Sequence, residues 1–407
     1  MSAAIPASLQ EQLSHQLSQV VGFIYPNEVE TQWAILIVVY PYITGIVAGA
    51  FILASLVKVF NVVEVQPIYR LALLTALAFM LVAGLPLQLH LGHPERAYEI
   101  FMTPQPTSAM AMFGFVYLWY LLGILLIEIW FEYRHQLILM GQQARGLMKF
   151  IYRALSLFSK DVSPEALEFD HKVSKFVTII GIPSAFLLHG YVGFIFGSVK
   201  ANPWWGSVLM PIVFLMSAIV SGIAMVMFLY LVRSLLLRNE RVDMRCVDRI
   251  GLFLLVAIIV DFALEALDYI HRIYQSEESI GILTELMSAR LFTSLVVVQL
   301  LLGMLLPLLM LVVVRSVRFS DELRKFIYFC SSLLILLGIF SMRWNVVIGG
   351  QLYSKSFRGL MAYKMELTGI ESLMTALILL ALPFVILTVL FWLLPPRWME
   401  RHTPAAG

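Results

Sequence analysis

Four ionisable residues share one apolar stretch, VDFALEALDYIHRIY, at 260–274: Asp261, Glu265, Asp268 and Arg272. Their spacings of 4, 3 and 4 place them on a single stripe of a helix. Each is expensive to hold in hydrocarbon, and an ionisable group there is by default a functional hypothesis. Carboxylates graded in depth are what a proton relay needs, because buried carboxyl groups can hold and pass protons near neutral pH. The plainer alternative is that Asp268 and Arg272 pair and Asp261 bonds a neighbouring helix. Glu128, near the inner end of another apolar run, poses the same choice. It either snorkels to the interface or forms the inner mouth of a proton route.

A second set of polar groups clusters at the ends of apolar runs. "LPLQLHLGHPERAYEIF" holds His90, His93, Glu95 and Arg96 around Pro94, which stops a helix. "PSAFLLHGYVGFIFG" holds His189 and Tyr191 inside a run, and "SMRWNVVIGGQLYSKSFRG" carries Arg343, Asn345 and Gln351. A quinone head group needs a donor to each carbonyl, a proton donor or acceptor and apolar walls for its tail. Histidine, tyrosine, asparagine and glutamine beside aliphatic helices meet that requirement. A histidine at a membrane–water boundary can also be merely solvated, a reading harder to apply to His189.

The elements that must position these groups are membrane helices. The chain has 407 residues, 60% hydrophobic and 13% charged, whereas soluble domains are nearer a quarter charged. The apolar residues gather into nine runs, roughly 33–58, 68–89, 109–131, 175–198, 206–232, 250–273, 289–314, 324–345 and 372–394. Each has about the 20 residues needed to cross a bilayer. A tenth span is the alternative, with "GLMKFIYRALSLF" at 146–158 as its candidate. Lys149 and Arg153, four apart, favour an interfacial amphipathic helix there. Residues 1–30 have no Lys or Arg and no apolar core, so no cleavable signal peptide is expected. A short surface helix is expected over 8–22.

Loop charge sets the orientation. Of 28 Lys and Arg, 20 lie on the side of the loops after spans 1, 3, 5 and 7 and the C-terminus, with Arg233, Arg238, Arg241, Arg245 and Arg249 crowded into one loop. The positive-inside rule places that side, with the C-terminus, in the cytoplasm and the N-terminus outside. Glu28, Glu30, Glu95, Glu99, Glu277, Glu278 and Glu285 then make the outer face acid-rich. Trp204, Trp205, Trp344, Trp392 and Trp398 fall at span ends, where an aromatic belt is expected. The stripe and the second polar set all map toward the outer side.

Several function classes are disfavoured. The net charge of +2 and the lack of a basic tract give no reason to expect nucleic acid. Cys246 and Cys330 lack C-x-x-C spacing, so neither a zinc site nor an iron–sulfur cluster is expected. Of eight His only His189 lies well within a span, whereas a b-type haem in a bundle needs two facing axial ligands. Electrons would then come from a partner subunit. A secondary transporter would place its polar groups at mid-membrane on broken helices, unlike the outer clustering here. A passive anchor for redox subunits is the remaining alternative.

The motifs also carry a resemblance. "LHLGHPERAYEIF" resembles the outer-loop signature of the NrfD/PsrC (polysulfide reductase membrane subunit) family, and "LLHGYVGFIFG" resembles that family's helix with an inward-facing histidine. "MRWNVVIGGQ" with "SKSFRG" is similar to the longer branch, which includes DsrP-type subunits of sulfite-reductase-linked complexes. The resemblance runs from span 1 to span 9. It implies an all-α integral membrane fold with two four-helix bundles, at 31–200 and 201–348, after an N-terminal segment at 1–30. An outer loop, a last helix and a cytoplasmic tail would occupy 349–407. It implies a multi-pass protein of the bacterial cytoplasmic membrane with an outer site for menaquinone or ubiquinone and no haem or iron–sulfur cluster of its own. It also implies docking to a ferredoxin-like iron–sulfur subunit, alongside other membrane and haem-bearing subunits. By position, the quinone site would draw on His90 or His93, Arg96, His189 and the Arg343–Asn345 region, and the span 6 acids would match proton-path carboxylates.

Overall fold

The structure, a computed structural model, describes residues 22–236, 242–275 and 279–395, with residues 12, 15, 16 and 20 ahead of them. The expected surface helix over 8–22, Arg238 and Arg241, Glu277 and Glu278, and the tail with Trp398 fall wholly or mostly outside the described residues.

Among the described residues, nine helices are long and apolar enough to cross a membrane: Ile35–Lys58, Val63–His90, Met110–Gln143, Pro164–Gly197, Met210–Ser234, Met244–Tyr274, Phe292–Ser316, Asp321–Gln351 and Leu373–Leu393. They are spans 1–9 below. A helix closes its own backbone hydrogen bonds, the requirement hydrocarbon imposes on a spanning segment. Serine side chains cap three starts. Ser108 accepts from the Ala111 amide, Ser163 from Ala166 with Pro164 in the first turn, and Ser372 from Thr375.

Span 1 is the centre, with 94% of its apolar window buried inside the protein against 22% for spans 3 and 9. It packs on spans 2, 4, 5 and 8, and span 5 packs on spans 1, 4, 6 and 8. Spans 1–4 and 5–8 thus meet along spans 1 and 5, and span 9 lies against span 2. Two glycines allow the central crossing. A Cβ on Gly49 would lie 2.1 Å from the Ala218 carbonyl oxygen, and one on Gly222 would lie 2.3 Å from the Gly49 carbonyl carbon. Gly303 and Gly338 do the same for spans 7 and 8, at 2.2 and 2.5 Å. Small residues at crossings are how membrane helices gain close backbone packing.

Spans 3 and 7 contain π-helical segments, Trp119–Leu125 and Phe292–Leu305. Such segments shift the register of side chains and recur at functional sites. The candidate tenth span is the ten-residue helix Gly146–Leu155. At a rise of about 1.5 Å per residue it cannot cross roughly 30 Å of hydrocarbon. Leu147 and Phe150 are exposed on it and Tyr152 is buried, the pattern of an interfacial helix.

The tryptophans depart from expectation. Trp392 is exposed, but Trp204 and Trp205 are each only 7% exposed. Their indole N–H groups donate to the Asn345 and Val346 carbonyls at 2.8 and 2.6 Å. They staple the loop before span 5 to the end of span 8. Sequence position places a tryptophan at a span end but does not tell a lipid-facing one from a protein-facing one.

Candidate functional site

The stripe on span 6 faces inward. Asp261 is fully buried, Glu265 and Asp268 are half-buried and Arg272 is 6% exposed, while Val256, Ile259, Leu267, Ile270 and Ile273 face outward. At the outer end, Arg272 donates to Asp268 at 3.0 Å and to the Pro203 carbonyl, and Ser207 donates to Asp268. The pairing alternative therefore describes these two residues. It does not describe the deeper acids. Gln299, from the π segment of span 7, donates to Glu265 at 2.8 Å and accepts from Asn345 at 2.7 Å. Ser294 donates to Asn345 at 2.6 Å. Both oxygens of Asp261 and Oε1 of Glu265 are buried without a hydrogen-bond partner. A cavity of about 50 Å³ lies among Glu265, Asp268, Tyr269, Gln299 and Asn345, room enough for ordered water.

Arg343 carries this cluster across to the first group of spans. It is fully buried on span 8, within electrostatic reach of Asp261 and Glu265. Its Nη2 donates to Ser217 of span 5 at 2.6 Å and lies 3.0 Å from Nε2 of His189 on span 4. Its guanidinium sits 4.1 Å from the centre of the Phe214 ring. Arginine has no acceptor, so His189 Nε2 must be the acceptor, which leaves Nδ1–H to donate to Thr44 of span 1 at 3.3 Å. Thr44 in turn donates to the Tyr40 carbonyl. Gly45 makes room for the imidazole: a Cβ there would stand 3.2 Å from it.

One turn outward from His189, the first group of spans opens into a cavity of about 530 Å³. Val192 and Phe196, three and seven residues on from His189, are in its wall, as is Tyr40, four residues before Thr44. Phe113, Tyr117, Leu87, Gln88 and His90 complete the part nearest the bundle, and Tyr98 and Phe101 roof it. The Tyr117 hydroxyl donates to the Met80 carbonyl. The hydroxyls of Tyr40 and Tyr191 are buried without a partner.

The outer-side residues singled out from the sequence therefore fall into four places. His90 lines the large cavity and bonds Glu371 at 2.8 Å. His189, Arg343 and Asn345 form the buried network behind it. His93 and Arg96 stand exposed on the outer loop, paired with Glu95 at 3.0 Å and with Glu99 at 2.8 Å. The bond from Arg96 holds the Glu99 carboxyl below its usual range. Gln351 accepts from the Trp33 amide at 2.9 Å and donates to the Trp33 carbonyl at 3.1 Å, fixing the entry to span 1.

Glu128 does not snorkel. It is fully buried and accepts from Tyr69 at 2.8 Å and from Thr178 at 2.7 Å, with Ser174 at 3.4 Å. All three partners belong to spans 2 and 4. Sequence reasoning passed over Gln299, Ser217, Tyr40 and Gln88, although Gln299 is the sole amide in "FTSLVVVQLLLGML" and was open to the same argument as the acids. Among the described residues, no group of three His, Cys, Asp or Glu could hold a metal ion.

Comparison with known proteins agrees with this architecture. The chain is 34% identical over 326 residues to a selenate reductase subunit of Mesobacillus selenatarsenatis, covering 78% of this chain and 74% of that one. It is 27% identical over 241 residues to a putative dimethyl sulfoxide reductase membrane subunit of Halobacterium salinarum, covering 58% and 52% respectively. Protein NrfD of Escherichia coli is 24% identical over 207 residues, 50% of this chain and 60% of that one. The model of the family described as "Polysulphide reductase, NrfD" matches residues 26–354, which takes in spans 1 to 8. The chain, a multi-pass membrane protein, belongs to the polysulphide reductase NrfD family.

Proposed function

We propose that this chain is the quinone-reactive membrane subunit of a multi-subunit reductase. In this reading it exchanges electrons between membrane quinone, menaquinone or ubiquinone, and an iron–sulfur subunit on its outer face, beside other membrane and haem-bearing subunits. Relatives named as reductase subunits support the assembly. Their pathways are selenate and dimethyl sulfoxide reduction; sulfur metabolism, implied by the resemblance to the DsrP branch, is a third context of the same type. The excess of Lys and Arg on one side supports a bacterial cytoplasmic-membrane protein with its N-terminus in the periplasm.

The carrying observation is the aromatic cavity of about 530 Å³, within the range of small-molecule sites. His90, Gln88 and the unpartnered Tyr40 hydroxyl supply donors, and Phe113, Leu87 and Phe196 supply the apolar wall. His189, Arg343 and Asn345 then act from behind the cavity. His93, Arg96 and Gln351 shape its outer surroundings, and Tyr191 borders the same helix face. The proton-relay extension assigns Asp268, Glu265 and Asp261 to an outer path and Glu128 to a separate inner position.

The test is quinol turnover by the purified complex carrying Gly84→Leu. Gly84 lines the cavity, and a Cβ there would meet the Tyr117 ring only at 3.7 Å, so the added side chain occupies quinone space without forcing the helices apart. Turnover should fall roughly tenfold or more, equivalent to about 1.4 kcal/mol, with His90→Ala giving a rise in quinol KM. Wild-type kinetics in both variants would exclude the cavity as the quinone site.

A further inference from the structure

A cavity on the Lys- and Arg-rich side of the chain has no part in the quinone reading. It has a volume of about 400 Å³ and lies between the inner end of span 3 and the helix Gly146–Leu155. Gln142, Arg153, Ser159 and Lys160 bring donors to it, and Ile138 and Phe158 bring apolar wall. None of the lining residues is an acid. Asp161, the nearest carboxylate in sequence, is turned away to accept from the Ser163 amide at 2.9 Å, which holds it below the usual carboxylate range.

The cavity is built rather than incidental. Gly141 lets the short helix approach span 3: a Cβ there would already stand 3.4 Å from the Tyr152 Cβ and 3.6 Å from the Arg153 side chain. The chain then reverses through Leu157 and Phe158, both at positive φ, 51° and 58°, a conformation uncommon for side-chain-bearing residues. A buried ion pair pins the far side. Arg134 bonds Asp170 at 2.7 Å and also donates to Ser159 Oγ and the Asp161 carbonyl, each at 3.0 Å. The reversal holds Lys160 and Ser159 opposite Arg153.

The surroundings specify the ligand. Leu147, Phe150, Leu157 and Phe158 are 62–73% exposed around the cavity, so this segment lies in the acyl–headgroup boundary. Two cations, an amide and a hydroxyl on an acid-free wall match a phosphate-bearing anion. At that depth, on the side where basic residues accumulate, the matching species is an anionic phospholipid. We propose that this cavity is a binding site for the headgroup of an anionic phospholipid, with Arg153 and Lys160 on the phosphate and an acyl chain along Phe158 and Ile138.

The test uses the intact complex in nanodiscs of phosphatidylcholine with a minor fraction of phosphatidylglycerol, with co-purifying lipid read by native mass spectrometry after detergent release. Wild type should retain phosphatidylglycerol, and the Arg153→Gln/Lys160→Gln variant should retain roughly tenfold less. Lys149→Gln, on the same helix but not lining the cavity, should behave as wild type. Equal loss in Lys149→Gln would overturn the site in favour of general surface attraction. Release of the lipid by millimolar inorganic phosphate would reassign the cavity to a free anion, and equal retention in the double variant would reject it. Arg153 and Lys160 are exposed, so their substitution leaves the packed spans untouched, which unchanged quinol turnover of the double variant would verify.

Discussion

Arg343→Met isolates the joint between the two groups of spans. Methionine keeps the unbranched length and removes the charge and every donor. Arg343 is fully buried, donates to Ser217 and His189 on two other spans, and lies 4.1 Å from the Phe214 ring. Interhelical side-chain bonds in membrane proteins contribute about 0.6 kcal/mol on average and up to about 1.7, so two give about 1–3 kcal/mol. A desolvated cation–π contact adds about 2 kcal/mol. Removing the cation also strips the charge facing Asp261, whose oxygens have no hydrogen-bond partner, while relieving the desolvation of the guanidinium itself. A net loss of about 3 kcal/mol is expected, measured by SDS unfolding in bicelles. Arg343→Lys should be intermediate, because an ammonium cannot serve His189 and Ser217 while lying flat on Phe214. A double-mutant cycle with His189→Ala should return a coupling of about 1 kcal/mol. An Arg343→Met protein as stable as wild type, with zero coupling in the cycle, would refute the assignment of Arg343 as the tie between spans 4, 5 and 8.

Two further outcomes follow from the same packing and the same stripe. Gly222→Ala should destabilise by about 1–3 kcal/mol, because its Cβ would meet span 1 backbone at 2.3 Å, whereas Gly281→Ala, with nothing within 4 Å of its Cβ, should be neutral by the same unfolding assay. In liposomes, Asp261→Asn and Glu265→Gln should each abolish turnover-linked acidification while electron transfer to quinone persists; a proton signal equal to wild type would reject the relay.

The nine spans were legible because the bilayer imposes length and composition on each segment separately, whatever it packs against. The stripe was legible for a similar reason, since helical spacing alone places Asp261, Glu265, Asp268 and Arg272 on one face. What spacing cannot give is the partner across the gap. Glu128 read as a snorkelling carboxylate because the groups that bury it, Tyr69 and Thr178, are 59 and 50 residues away. His90, His93 and Arg96 read as one constellation because they are close in sequence. A break at Leu91 and Gly92 instead leaves His90 in the cavity wall and carries His93 and Arg96 into solvent. Gln299 was hidden differently, for its orientation depends on the π segment it sits in, and an ordinary helical periodicity does not describe that register.

The stripe ends inward at Asp261. Along span 6, the residues buried between Asp261 and Asp248 are Ile250, Gly251, Leu254, Ala257 and Ile258, none with a polar side chain. Asp248 itself is held by Arg324 and by Tyr328 at 3.1 Å, an ion pair that occupies it structurally. Among the described residues, span 6 itself therefore offers a relay no carrier directly inward of Asp261. Sideways, Arg343, His189 and Thr44 form a continuous hydrogen-bonded series from span 8 through span 4 to span 1. That series stops one turn below the aromatic cavity. Arginine can fix a charge and orient water but does not exchange protons at neutral pH, so Arg343 fits a positioning role, and by accepting from it at Nε2 His189 keeps its own proton on Nδ1, toward Thr44. In the relay reading, the stripe is an outer half-path whose continuation turns toward the quinone cavity rather than toward the cytoplasm. Proton delivery would then be tied to occupancy of that cavity through the His189–Thr44 contact between them.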